Sequence, residues 1–187
     1  RIRSSPPTCE YGKEEYSANA IRIADYRAKP GAANGAYGNR VFNNKIFIKA
    51  INYETPAEYI PLSWAFFYSA SGGDNDIFGN EIVIEHTAPQ SKALAAAFFI
   101  TGGAAGYGGR FYNNHITSNV PPVWIAGKYG GTSRTVIAGN TIVRSAGALP
   151  GFTPFMMGFD GCRDCVAKDV VIRSNKIVND TFAIRVE

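Results

Sequence analysis

One short pattern constrains the fold of this chain more than any other feature: apolar-x-x-Asn-x-Ile, which occurs six times. The copies run over 16–21, 41–46, 77–82, 111–116, 137–142 and 172–177, centred on Asn19, Asn44, Asn80, Asn114, Asn140 and Asn175. Successive Asn are 25, 36, 34, 26 and 35 residues apart, so a unit of fixed length alternates with a connection of variable length. Apolar residues alternate on both sides of the Asn, a residue that tolerates left-handed backbone and bonds its neighbours; each unit therefore reads as strand, sharp bend, strand. A third apolar run precedes four of the units, at Trp64–Tyr68, Ala97–Ile100, Val123–Ala126 and Phe155–Gly158. Three strands per turn around a filled interior predict an all-β fold, a right-handed parallel β-helix of about six coils spanning 15–187. Units stacked in register place the Asn side chains in a column at about 4.8 Å per step, each amide bonding the next.

The outward positions test this register. Four residues before the Asn stand Arg40, Asp76 and Arg110 in consecutive units, and after the bend Lys45 faces Glu81 and Lys49 faces Glu85. Opposite charges directly stacked are what an aligned set of coils predicts. Two residues before the Asn come Phe42, Phe78 and Tyr112, and three after it Phe47, Val83, Val143 and Val178. Two apolar outer stripes exceed what a lone soluble surface carries, so loops, further chain or another subunit, including a homo-oligomeric mate, are expected to cover them. Residues 1–14 form a candidate N-terminal cover. Neither end reads as a cap, so the chain is expected to belong to a longer solenoid.

Composition narrows the function classes. Twenty Gly, ten Pro and 13% aromatic residues argue against a helical bundle. No stretch of about 18 residues is apolar without interruption, which excludes a membrane-spanning helix. The formal charge of +4 favours acidic partners slightly, and the absence of a basic block argues against nucleic acid. Of three Cys, Cys162 and Cys165 form a C-x-x-C pair with no second pair and no His cluster, so a local disulfide or two packed thiols is the simpler reading than a metal site, and Cys9 is left over. No metal or cofactor is expected.

The repeats resemble the pectin-lyase-like family of parallel β-helices over most of the chain. That family includes polysaccharide lyases, glycosidases, epimerases, phage tailspikes and non-catalytic adhesins, so the resemblance speaks to fold more than to function. It implies an extracellular or cell-surface protein, the periplasm being the other compartment, with a polysaccharide groove, acidic or neutral, beside the third strand. The variable connections, such as 52–61, 86–92, 119–122 and 145–151, would wall that groove. Its floor would expose one alternating set, either Phe66/Tyr68/Trp124/Met156 or Ala65/Phe67/Ile125/Met157. Tyr68 and Trp124 can stack on sugar rings, with His86 and Arg163 joining from neighbouring coils. For a lyase-like reaction the base and the cations that stabilise an enolate-like state would come from Lys128, Tyr129 and Arg144. The run Val123-Trp-Ile-Ala126-Gly127 departs from the pectate-lyase pattern, because Ala126 and Gly127 stand where an acid and a His would supply calcium binding. Asp160, Asp164 and Asp169 read more simply as turn residues than as a hydrolytic carboxylate pair. Two expectations follow: a polysaccharide-binding or polysaccharide-processing protein, or a non-catalytic structural solenoid packed in a larger assembly.

Overall fold

A computed structural model describes residues 15–24, 36–50, 60–69, 73–87, 94–101, 109–126, 132–148, 152–158, 167–179 and 184–186, with side chains at all but 15–18, 60–61, 126, 132–133, 158, 167 and 184–186. The described strands form three large parallel sheets. The first contains Arg40–Phe42, Asp76–Phe78, Arg110–Tyr112, Val136–Ala138 and Val171–Arg173. The second contains Lys45–Ala50, Glu81–His86, His115–Ser118, Thr141–Arg144 and Lys176–Val178. The third has six strands: Glu15–Ala24, Ile60–Ser69, Leu94–Thr101, Val123–Ala126, Phe155–Gly158 and Ile184–Val186. The chain visits third, first and second sheets in rotation, which makes a parallel β-helix. Thr132–Ser133 and Ala167–Lys168 add a small two-stranded pairing.

The bend between the first and second sheets is made by one residue in left-handed backbone, immediately before the ladder Asn. These are Asn43, Gly79, Asn113, Gly139 and Ser174, with φ of 56°, 62°, 54°, 63° and 54°. The Asn after the bend then bonds from coil to coil. Asn80 Oδ1 accepts from both the main-chain N–H (3.0 Å) and Nδ2 (2.9 Å) of Asn44. The same pair of bonds joins Asn80 to Asn114, Asn114 to Asn140 and Asn140 to Asn175. Each Nδ2 also donates to a carbonyl of the preceding coil: Asn80 to Val41, Asn114 to Ile77, Asn140 to Phe111 and Asn175 to Ile137. Buried amides have their donors and acceptors filled, which is the condition for placing them in an interior.

Asn19 corrects the sixfold reading. It lies inside the continuous strand Glu15–Ala24, opposite Trp64, and belongs to the third sheet. The reason is visible one residue earlier. Ala18 stands where the other copies have Asn, Gly or Ser, and an Ala forced into left-handed backbone costs about 1–2 kcal/mol. Among the described residues the ladder therefore holds five Asn, and the first motif is a strand that only imitates the bend. The candidate cover at 1–14 lies outside the described residues.

The core is filled by the inward residues of all three sheets, among them Ile77, Phe111 and Ile137, Ile82, Ile116 and Ile142, and Phe66, Phe98, Val123 and Phe155. Full burial of each such side chain is worth about 1.5–3 kcal/mol. Outside, the predicted charge columns hold the register. Asp76 takes a bidentate pair from Arg110 (2.6 and 3.0 Å) with Arg40 at 3.9 Å, and Lys45 meets Glu81 at 3.0 Å and Lys49 meets Glu85 at 3.5 Å. The hydrogen bond to Asp76 holds the Arg110 guanidinium above its ordinary pKa. Phe42, Phe78 and Tyr112 form the expected outer stack, with ring centroids 5.0 and 4.9 Å apart and planes within 10°.

Candidate functional site

Along the third sheet, simple alternation fails at one place, and that failure decides which residues face outward. Ala65 and Phe66 are adjacent yet both belong to the core, as do Ala97 and Phe98 in the next coil. The main-chain N–H groups of Ala97 (2.8 Å) and Phe98 (2.9 Å) both donate to the Pro122 carbonyl. Two consecutive amides on one acceptor mark a bulge, which shifts the in-out pattern by one residue. Trp64 and Phe67, three apart, thereby share the outer face with Ala96 and Phe99.

Register then fixes the columns. Phe67, Phe99, Trp124 and Met156 stand in line, while Tyr68, Ile100, Ile125 and Met157 form the neighbouring inward line. Neither alternating set expected from sequence survives as written, because register aligns Trp124 and Met156 with Phe67, and Ile125 and Met157 with Tyr68. Trp124 is on the outer face, half-buried against the cluster. Tyr68 is in the core. Its hydroxyl accepts from Asn75 Nδ2 at 3.0 Å, and Asn75 Oδ1 in turn accepts from Asn39 Nδ2 at 2.8 Å, a second and shorter Asn column at the bend before the first sheet. Gly109 takes the next place in that column. A Cβ there would lie 3.0 Å from Tyr68 Cζ and 3.2 Å from the Asn75 carbonyl, so the missing side chain makes room for the phenol.

Burial pushes the Tyr68 phenol up to about 12, its hydrogen bond with Asn75 acting the other way. The folded state thus holds this proton more tightly than the unfolded chain, whose phenols titrate near pH 10. Stability from this group is complete below about pH 10 and is lost as pH rises through about 12, in total roughly 3 kcal/mol. Subtracting the urea stability profile of Tyr68→Phe from that of the parent between pH 9 and about 12 should isolate this slope; parallel profiles would show that the phenol stays accessible.

His86 ends the strand Glu81–His86 and is buried. Its main-chain N–H donates to Asn119 Oδ1 and its carbonyl accepts from Asn119 Nδ2, both at 2.8 Å, so the Asn119 amide continues the sheet where the backbone turns away. Arg144 donates from Nη2 to the Ala148 carbonyl at 3.1 Å and lies 5.8 Å from the Phe152 ring, bracing the connection into the third sheet. Lys128, Tyr129, Arg163, Cys9, Cys162 and Cys165 lie outside the described residues. Of the described members, Tyr68, His86, Trp124 and Arg144, only Trp124 is on the outer face of the third sheet.

What does gather there is an aromatic cluster. Trp64 stacks on Phe99 at 4.6 Å, Phe67 on Phe99 at 5.6 Å, and the two indoles are 6.1 Å apart at 45°. The Arg22 guanidinium sits 4.8 Å above the Phe67 ring. Among the described residues, five buried side-chain atoms lack a hydrogen-bond partner: Asn19 Oδ1, Trp64 Nε1, Thr101 Oγ1, Trp124 Nε1 and Thr135 Oγ1. The first four belong to this one sheet. Asn19 is opposite Trp64, and Thr101 follows the inward Ile100 and so shares the outer side. Two indole donors, an amide acceptor and a hydroxyl thus gather outside the core, but they are covered: Trp64 and Thr101 are 1% exposed and Phe67 and Phe99 8%, and of the aromatic residues only Trp124 is half-buried. The outer stack of Phe42, Phe78 and Tyr112 is a poorer platform, since both faces of Phe78 are already covered by its neighbours.

Sequence reasoning missed Trp64, Phe99 and Thr101, offered Phe67 only in one of two alternative sets, and placed Asn19 in the ladder; strict alternation carried through the bulge would put Trp64 on the side of Phe66 and Tyr68, which are in the core. The signal available was Pro122 opposite the Ala97-Phe98 step, a residue with no N–H to continue the ladder. Among the described residues no group of three or more His, Cys, Asp or Glu could hold a metal, and no helix is long and apolar enough to cross a membrane. Comparison with protein-family models, curated proteins and solved structures gives no match.

Proposed function

We propose that the chain recognises a polysaccharide along the outer face of its third sheet, as part of an extracellular or cell-surface protein. The observation that carries this reading is the concentration of unpartnered polar atoms in a covered aromatic cluster on the outer side of that sheet: Asn19 Oδ1, Trp64 Nε1, Thr101 Oγ1 and Trp124 Nε1. A buried donor or acceptor without a partner costs about 1–3 kcal/mol. Such atoms beside indole faces suit a ligand with hydroxyls around an apolar ring face, which is what a sugar offers. The resemblance of the repeats to pectin-lyase-like β-helices points to the same sheet, and the positive net charge favours an acidic glycan.

The test is a titration of the chain with pectate, alginate and neutral glycans, following tryptophan fluorescence and the ultraviolet absorbance of unsaturated products. Saturable fluorescence change is expected with at least one polymer, and Trp124→Phe should weaken it about tenfold, the equivalent of about 1.4 kcal/mol. Unchanged fluorescence with every polymer would remove this reading. Absorbance growth would add lyase chemistry to binding. A second reading, a structural solenoid packed in a larger assembly, is favoured by the exposure of Phe42 (48%) and Phe47 (60%) in one coil.

A further inference from the structure

The outer aromatic column breaks off inside its own sheet. Phe42, Phe78 and Tyr112 stack at one strand step each; the next place in the column is Ala138, and the one after it Arg173. Tyr112 turns one face to Phe78, with the two planes 3° apart, so its other face is turned to the coil of Ala138. A methyl group cannot cover a phenol ring, and the bend residue beside it, Gly139, adds no side chain. Tyr112 and Arg173 thus form two walls roughly 9–10 Å apart, two strand steps, with Ala138 as the floor between them. Tyr112 and Ala138 are half-buried and Gly139 and Arg173 exposed, and among the described residues no further ring or cation stacks on the far face of Tyr112. Coils of this chain bound the slot on both sides, so it does not depend on what lies beyond either end.

The charges around the slot select its occupant. Across 109–126, 132–148 and 167–179 the described residues include a single acid, Asp169, which stands next to Arg134, one position past the pairing of Ser133 with Lys168. Asp76, Glu81 and Glu85 lie in earlier coils and already hold Arg40 and Arg110, Lys45, and Lys49. Arg173 is paired in register with Ala138, and Lys176, on the same coil across the bend, with Thr141. Both are exposed, and neither side chain makes an ion pair or hydrogen bond among the described residues. A phenol face opposite a guanidinium can hold a flat ring from both sides, by stacking on one and by cation–π attraction on the other. Two cations without acids favour an anionic group on that ring.

We infer that the gap over Ala138 is a binding slot for an aromatic carboxylate, whose ring takes the empty place in the column of Phe42, Phe78 and Tyr112 and whose carboxylate is held by Arg173 and Lys176. The column repeats at 5.0 and 4.9 Å with flat rings at each step, so an aromatic ring continues it better than a puckered sugar does. The slot is on the first sheet and is independent of glycan binding on the third.

Equilibrium dialysis of the whole chain against 2-naphthoate, read from the ultraviolet absorbance of the probe, should show saturable binding that weakens as salt rises. Ala138→Phe places the chain's own ring in the slot, as Phe42 and Phe78 do in their coils. That variant should keep the parent's urea midpoint and bind 2-naphthoate at least about tenfold more weakly. Arg173→Gln changes an exposed side chain without threatening the fold; it should weaken 2-naphthoate by about tenfold and the neutral 2-naphthamide by less. Galacturonate, an acid without a flat ring, should show no binding that Ala138→Phe removes. Absence of saturable 2-naphthoate binding, equal affinity in a folded Ala138→Phe, unchanged affinity in Arg173→Gln, or galacturonate binding that is lost in Ala138→Phe would each overturn the inference.

Discussion

Replacing Asn114 by Ala should destabilise the chain by about 3–5 kcal/mol, more than any other single change in the ladder. Asn114 is at its centre and is 1% exposed. Its Oδ1 accepts from the main-chain N–H and Nδ2 of Asn80, and its Nδ2 donates to Asn140 Oδ1 and to the Ile77 and Tyr112 carbonyls. Truncation strands the Asn80 N–H in the interior and removes donors from two carbonyls. Water cannot compensate at a buried site of this kind without space and further polar partners. Asn44→Ala makes the control. Its amide is the first of the ladder among the described residues, and Asn80 Oδ1 would keep the main-chain N–H of residue 44, so the expected loss is about 1 kcal/mol or less. Urea unfolding midpoints at constant slope measure both. Equal losses at the two positions would mean that the amide column contributes through local bends alone, with no coil-to-coil coupling.

Gly139→Ala should cost about 2–4 kcal/mol, from two separable causes. The residue has φ of +63°, where an Ala is strained, and a Cβ there would sit 2.5 Å from Asn113 Oδ1 in the neighbouring coil. The bends alternate Asn and Gly for this reason: an Asn at the left-handed position reaches over the next coil, and Gly leaves the space for it. Asn113→Gly removes the overlapping oxygen while keeping a residue suited to φ of 54°. Combined with Gly139→Ala it should return the steric part of the loss and leave about 1–2 kcal/mol of backbone strain. A double-mutant cycle reads the difference as coupling between adjacent coils. If the two changes are simply additive, the contact between Asn113 and residue 139 does not limit the bend.

Both predictions show how far the coil geometry could be read in advance. The recurrence of Asn44, Asn80, Asn114, Asn140 and Asn175 with an Ile two places on requires the bend, the two flanking strands and the stacking direction, because those features depend on local backbone preference and period-two alternation. The pairs Arg40 with Asp76, Lys45 with Glu81 and Lys49 with Glu85 followed from the same spacing and are present. Asn19 shows the limit. Its motif matches, yet Ala18 cannot turn the chain cheaply, and the segment prefers to extend beside Ile60–Ser69. A consensus of apolar and Asn positions does not weigh the residue that must adopt positive φ.

The candidate site was less legible. Tyr68 and Trp124 are both large aromatics in third-sheet strands, and strict alternation put them on one side. They are on opposite sides because register aligns Trp124 with Phe99 and Phe67, which leaves Tyr68 in line with the inward Ile100 and Ile125. His86 and Arg144 are polar residues at strand ends, a common place for chemistry, yet each is engaged in closing its own coil, with Asn119 and with Ala148.

By itself, the sequence determined the repeat, the bends and the columns, since these rest on properties each residue carries wherever it stands: the left-handed tolerance of Asn and Gly, the alternation of a strand, the sign of a charge. Only the tertiary structure decided which face Trp64, Phe67, Phe99 and Trp124 occupy, that Tyr68 ends in the core against Asn75, and that Asn19 stays out of the ladder. Those outcomes depend on how one coil's backbone bonds to the next, and a bulge or a one-residue difference in register changes the result without changing any local preference.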